Sequence, residues 1–202
     1  MNQVFPDELL CLVFSFLEPY TPVLRLVCRL WKDLVPINKS SNLWKRAVEQ
    51  GHLELLQWLH AQGHPIHPNT CTLAAENGHL DVLQWARANG CPWGGGWTCA
   101  HAAQNGHLDV LQWARNNGCP WDELTCTFAA EGGHLGVLQW ARANGCPWDE
   151  WTCTYAAQNG HLEVLQWARA NECPWDEWTC TYAALYKHLE VLQWARDHGC
   201  PG

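Results

Sequence analysis

Positive charge is the first thing this chain is short of. Its 202 residues carry 12 lysines and arginines against 20 aspartates and glutamates, a formal charge of −8. Residues 1–46 hold six basic and four acidic groups, so the remainder carries −10. A nucleic-acid binder needs a basic footprint to release counterions from phosphates, and the deficit excludes that class. Long apolar runs are also missing. The one near the N-terminus, Leu9 to Leu17 (LLCLVFSFL), follows Asp7 and Glu8 instead of a positive segment. No small-residue cleavage site comes after it, and it is too short to span a bilayer. These absences predict an intracellular protein of the cytoplasm or nucleus, without membrane contact, whose 12 cysteines stay as thiols.

Constellations for catalysis and metal binding are equally scarce. Ten cysteines form two columns, Cys71, Cys99, Cys126, Cys153 and Cys180, and Cys91, Cys119, Cys146, Cys173 and Cys200. From one column to the next along the chain the step is seven or eight residues, where a metal site calls for C-x2-C or similar pairs. Cysteine as a small buried hydrophobe accounts for the columns without a metal. Six histidines (His52, His79, His107, His134, His161 and His188) occupy equivalent positions, and six equivalent copies make a poor catalytic base. Neither a nucleophile–base arrangement nor a phosphate-cradling glycine loop is found. The sequence predicts no enzyme, no cofactor and no metal.

What the chain has in abundance is repetition. Gly51-His52, Gly78-His79, Gly106-His107, Gly133-His134, Gly160-His161 and a degenerate Lys187-His188 follow one another at 27, 28, 27, 27 and 27 residues. The one extra residue falls at Gly94 to Gly96, which marks a loop tip. Each copy contains two helical stretches. In DEWTCTYAAQN, Cys153, Ala156 and Ala157 make a stripe of small residues at helical spacing. Asp149 is a plausible N-cap, and Gly160 ends the helix in a left-handed C′ position. In HLEVLQWARAN, Leu162, Val164, Leu165, Trp167 and Ala168 form a broad apolar face, and Pro147 after Gly145 shows how each copy then stops. Two short helices cannot bury their shared face alone, so the copies must stack into an all-α solenoid. Six helix pairs are expected, near 41–66, 67–93, 94–121, 122–148, 149–175 and 176–202.

Thirteen of the 15 tryptophans fall in three columns. These are Trp58, Trp85, Trp113, Trp140, Trp167 and Trp194; Trp93, Trp121, Trp148 and Trp175; and Trp97, Trp151 and Trp178. All three are read as packing: the first on the buried face of the second helix, the others as bulk beside a short loop.

The segment Ala156 onward, AAQNGHLEVLQWARANG, resembles the ankyrin repeat, whose pattern is A-A-x-x-G-H-x-E-V-V-x-x-L-L-x-x-G. An ankyrin repeat has about 33 residues, so copies of 27 imply helix pairs without projecting β-fingers. In that arrangement the position before Ala-Ala faces the concave side. There the copies differ, with Leu73, His101, Phe128, Tyr155 and Tyr182, and these five are the candidate substrate-binding residues.

Residues 1–45 do not repeat, whereas 41–202 do. Phe5 to Val35 reads as three short helices, the first starting at Pro6-Asp7-Glu8 and ending before Pro19. That first helix is apolar nearly all round, more than ~40 residues can enclose, so it calls for a partner. Phe5-Pro6-Asp7-Glu8-Leu9-Leu10, Val13-Phe14-Ser15-Phe16-Leu17, Val27-Cys28-Arg29-Leu30-Trp31 and Leu43-Trp44 resemble the F-box. The resemblance implies docking on the Skp1 adaptor of a cullin–RING ubiquitin ligase, with the repeats capturing the protein to be ubiquitinated. By position, Phe5, Pro6, Leu9, Val13, Phe14, Leu17, Leu24, Val27 and Trp31 would form or support the Skp1 contact. The chain would be a monomer within that complex. An F-box joined to ankyrin-like repeats is also similar to host-range proteins of large DNA viruses. Leu43-Trp44 opens the first helix pair as well, so the two modules are expected to share a helix.

Two copies lose a helix-ending glycine: Glu172 stands where Gly145 does, and Lys187 where Gly160 does. A left-handed non-glycine residue costs about 1–2 kcal/mol. The last pair also lacks a polar outer face, so it is expected either to fray or to carry a bound partner.

Overall fold

Twelve helices follow one another through the part of the chain that a computed structural model describes, residues 40–202 apart from residue 62. In chain order they are α1 (Ser40–Glu49), α2 (Leu53–Ala61), α3 (Thr70–Glu76), α4 (Leu80–Ala88), α5 (Trp97–Gln104) and α6 (Leu108–Asn116). The series continues with α7 (Glu123–Glu131), α8 (Leu135–Ala143), α9 (Glu150–Gln158), α10 (Leu162–Ala170), α11 (Glu177–Leu185) and α12 (Leu189–Asp197). Odd-numbered helices are first helices of a pair and even-numbered ones second helices. No strand occurs among the described residues, and none of their helices is long and apolar enough to cross a membrane. Two compact units divide the chain at Ala47, inside α1, which carries both Leu43 and Trp44. The candidate Skp1-contact residues Phe5, Pro6, Leu9, Val13, Phe14, Leu17, Leu24, Val27 and Trp31 lie outside the described residues, as do the three helices predicted for Phe5 to Val35.

Local chemistry sets the helix ends. The carboxylates of Asp122, Asp149 and Asp176 accept from the amides of Leu124, Trp151 and Trp178 and start α7, α9 and α11. At the insertion, Gly96 takes the N-cap position of α5 and has no side chain to offer, so the extra residue replaced a cap with a turn. Helices α2 to α12 each end in a Schellman turn. In α9 the His161 amide donates to the Ala156 carbonyl at 2.9 Å, and Gly160 (φ 76°) supplies the left-handed residue between them. In α8 the Cys146 amide does the same to Ala141 at 3.0 Å, around Gly145 (φ 82°).

The core is two-layered. First helices pack against first helices, α3 on α5, α5 on α7, α7 on α9 and α9 on α11, and each second helix packs mainly on its own partner. Close approach of the first helices is possible because the residues between them are small. Cys126, Ala129, Ala130, Cys153, Ala156 and Ala157 are all fully buried. The second helices contribute the larger side chains, with Val110, Leu111, Leu138 and Leu165 closed from solvent. A buried leucine of this kind contributes about 1.5–3 kcal/mol of apolar burial.

Two polar ladders fix the register between copies. Threonines pair across first helices: Thr72 with Thr98 at 3.3 Å, Thr127 with Thr152 at 3.5 Å and Thr154 with Thr179 at 3.2 Å. Histidines at the second-helix N-caps reach back one copy, His79 Nε2 to the Glu49 carbonyl at 3.0 Å and His161 Nε2 to the Glu131 carbonyl at 2.9 Å. These rings are structural, as their equivalent positions predict. Burial lowers the pKa of His134, against a hydrogen bond with the Gln104 backbone that raises it.

Candidate partner-binding face

Helical spacing places two residues of each first helix on the side away from its small-residue stripe. In α9, Cys153, Ala156 and Ala157 face inward, which turns Trp151 and Tyr155, at i and i+4, outward. The same pair in α11 is Trp178 and Tyr182, and in α5 it is Trp97 and His101. The rings touch within each helix: Trp97 and His101 at 5.7 Å, Trp151 and Tyr155 at 5.9 Å, Trp178 and Tyr182 at 5.9 Å. Phe128 on α7 bridges to the previous copy, 6.0 Å from Trp97 and 5.8 Å from His101. At the C-cap of α11 the row extends to Tyr186, 6.2 Å from Tyr182.

The five sequence candidates, Leu73, His101, Phe128, Tyr155 and Tyr182, are therefore half-buried, each at the equivalent site of its first helix. The third tryptophan column is not packing bulk. Trp97 is 50% exposed, Trp151 40% and Trp178 46%, because they sit in the first turn of their helices and point away from the stripe. The signal that would have found them is the i, i+4 step to the aromatic candidates.

Charge on this face is of one sign. Between Ala47 and the end of the chain the basic residues are Arg87, Arg115, Arg142, Arg169, Lys187 and Arg196, and the first helices contain none of them. Acidic groups border the aromatic row: Asp149 and Glu150 precede Trp151, and Asp176 and Glu177 precede Trp178. Burial, then the nearby Glu150 and Glu123 carboxylates, raise the pKa of Asp149 above the usual carboxylate value.

Four arginines are held on the second-helix side. Arg87 lies 4.3 Å over Trp93, Arg115 4.0 Å over Trp121, Arg142 4.0 Å over Trp148 and Arg169 4.2 Å over Trp175. Each also donates Nη1 to a carbonyl of the linker, as Arg142 does to Cys146. The covered tryptophans meet the second helix of the following copy edge-on, Trp121 against Trp140 and Trp148 against Trp167 at 5.9 Å. Trp113, Trp140 and Trp167 are thus half-buried partners in a joint between copies, where the sequence suggested a fully buried face.

The cysteines are buried, as expected of small hydrophobes, and their spatial pairing is a further finding. The in-sequence step of seven or eight residues is not the spatial one. Each first-helix thiol meets the linker thiol 20 residues later, Cys71 with Cys91, Cys99 with Cys119, Cys126 with Cys146 and Cys153 with Cys173. The Schellman turn after the second helix returns the chain beneath its own first helix and brings the two columns together. All ten described cysteines are buried and free. Hydrogen bonding from Cys71, and the nearby Arg87 against the opposing effect of burial, lower Cys91 to about 7. Cys71 is correspondingly pushed up. No group of three or more metal-ligating side chains occurs among the described residues.

The ankyrin repeat family model (many copies) matches residues 43–86, 71–115 and 126–169, and the F-box-like model matches residues 4–50. The crystal structure of the human ASB11 ankyrin repeat domain is similar to this chain with a TM-score of 0.61 and 17% identity. That likeness covers 78% of this chain and 83% of the other. No curated protein matches the sequence.

Proposed function

The chain belongs to the ankyrin repeat family, with an F-box-like segment before the repeats, and we propose that it is a non-catalytic substrate-recognition adaptor of a Skp1–cullin–F-box ubiquitin ligase. The observation that carries this reading is the pairing of two interaction modules in one chain. An F-box-like segment at 4–50 precedes a repeat array whose first-helix face presents exposed aromatics. Aromatic side chains in rigid settings are the residues that anchor protein interfaces.

In this reading Phe5, Pro6, Leu9, Val13, Phe14, Leu17, Leu24, Val27 and Trp31 form or support the Skp1 contact. Leu73, His101, Phe128, Tyr155 and Tyr182 hold the target. The complex assembles in the cytoplasm or nucleus, which is the host cytoplasm if the chain is viral. The test is co-purification with Skp1, comparing the native chain with the double variant Leu9→Asp, Trp31→Ala. Retention of Skp1 by the native chain and its loss from a folded double variant support the adaptor. Failure of the native chain to retain Skp1 leaves a repeat scaffold that binds its partner without delivering ubiquitin.

A further inference from the structure

The target-binding reading leaves the chemistry of the target open, and the first-helix face narrows it. Three indoles are each 40–50% exposed on a face that carries no lysine or arginine from α3 to α11. Glu150 and Glu177 stand directly before Trp151 and Trp178, and Glu123 holds the equivalent place in α7. The four repeat arginines that could have neutralised this face are fixed over Trp93, Trp121, Trp148 and Trp175 on the second-helix side. That side shows how this chain treats a cation. A guanidinium lies flat on an indole at 4.0–4.3 Å, and a nearby oxygen takes its N–H. The first-helix face offers the same two elements, indole and oxygen, with the cation missing.

We propose that the first-helix face binds an extended segment of a partner protein bearing arginine or lysine side chains, the cations seated on exposed indoles and, at Trp151 and Trp178, near the acidic residues Glu150 and Glu177 that precede them in the chain. An indole attracts a cation through its quadrupole, and the flanking carboxylate adds charge that the indole lacks. Spacing sets the register. Stacked helices lie about 8–10 Å apart, and an extended chain advances about 3.3 Å per residue. One repeat therefore matches roughly three residues of ligand, so the favoured pattern is a basic residue at every third position. The row narrows in the middle, where Leu124 replaces the tryptophan and Phe128 leans on Trp97. Trp151 and Trp178, on adjacent copies, form the stronger half of the site.

This inference rests on the repeats being the target-binding module. The experiment uses the full chain and a fluorescein-labelled peptide, (Arg-Ser-Ser)6, read by fluorescence anisotropy. Comparison peptides are (Glu-Ser-Ser)6 and a peptide of the first composition with its arginines in one block. The expected result is micromolar binding of (Arg-Ser-Ser)6, weaker binding of the block peptide and none of the acidic one. Affinity should fall at least tenfold in Trp151→Ala, Trp178→Ala and about fivefold in Glu150→Gln, Glu177→Gln. Gln139→Ala, on the exposed side of α8, should bind as the native chain does. The charge variant keeps the test open should the tryptophan variant fail to fold. Absence of peptide binding, equal binding of the acidic peptide, or affinity unchanged in both variants overturns the proposal. Skp1 retention is measured in the same preparation. A chain that holds Skp1 but no cationic peptide fails this inference alone, and one that binds the peptide without Skp1 fails the adaptor reading alone.

Discussion

The imidazole of His188 lies against Gly160 so closely that a Cβ on Gly160 would meet its Nδ1 at 2.5 Å. The contact recurs through the array, His79 on Gly51, His107 on Gly78, His134 on Gly106 and His161 on Gly133. Glycine at these turns therefore answers two demands, a left-handed φ and room for the next copy's ring. At the other series of turns only the first demand exists: Gly90, Gly118 and Gly145 have nothing within 4 Å of a built Cβ.

The two series should separate under alanine substitution. Gly118→Ala carries only the left-handed strain, about 1–2 kcal/mol. Gly106→Ala adds overpacking against His134, a further ~1–3 kcal/mol. Urea unfolding of the two variants measures the difference, and equal midpoints would show that the histidine ring gives way freely.

The same distinction explains both departures from glycine. Glu172 falls in the series with open space, so its side chain meets no obstacle and only the backbone is strained (φ 66°). Lys187 (φ 64°) stands at the position of the crowded series, and its side chain is exposed, so here too the strain lies in the backbone. Glu172→Gly and Lys187→Gly should each raise stability by up to ~1 kcal/mol, the relieved strain less the entropy that glycine adds to the unfolded chain. A lowered thermal midpoint in either variant would contradict the strain argument.

Much of this was legible in the sequence, and the limit is physical. Local signals foretold the helix pairs, the Asp149 cap and the left-handed residues at 172 and 187, because caps and Schellman turns depend on a few adjacent residues. The pairing of Cys71 with Cys91 was not legible. It depends on where the chain returns after a whole helix, and the shorter step from Cys91 to Cys99 is misleading. The outward Trp97, Trp151 and Trp178 were obscured because a column present in most copies looks like packing. Which side of the helix it occupies follows only once the Cys-Ala-Ala stripe is known to face inward.

One defect in the threonine ladder is open to repair. Thr125 Oγ1 is buried without a hydrogen-bond partner, since the copy before it carries Ala100 where its neighbours have threonine. Ala100→Thr restores the pair seen between Thr127 and Thr152 and should stabilise the fold by about 1 kcal/mol. Thr125→Val removes the orphan instead and should be neutral or stabilising. A double-mutant cycle checks the assignment: with valine at 125, the gain from Ala100→Thr should vanish.

Alkaline pH should find the thiols. The hydrogen bond with the partner thiol, then burial, hold Cys71, Cys99, Cys126 and Cys153 well above the ordinary value of 9.0, and burial lifts Cys200 to about 12. A group raised in the folded state contributes its stability below the unfolded pKa and loses it as pH rises beyond. Cys91 (about 7) and Cys119 are shifted down and act oppositely, adding stability as pH climbs from 7 toward 9. The thermal midpoint under reducing conditions should therefore peak near pH 8–9 and fall from there to 10.5. Cys126→Ala should fall less steeply over that range, and a native midpoint still rising at pH 10 would reverse the sign of the argument.

The last helix pair should open before the others. First helices α5, α7 and α9 each pack between two other first helices, whereas α11 meets one, α9, besides its own partner α12. Ala184 is exposed where Ala130 and Ala157 are closed from solvent, and Leu185 (65%) and Leu189 (70%) face water. Local opening follows the density of buried contacts, so these helices lie at the low-stability end of the array. Amides of α11 and α12 should exchange with deuterium at least tenfold faster than those of α7 and α8, and Lys187→Gly should slow them by removing the strain at the turn that joins them. Equal protection of the last pair and the middle pairs would mean that something covers this face, and the search would then turn to what it is.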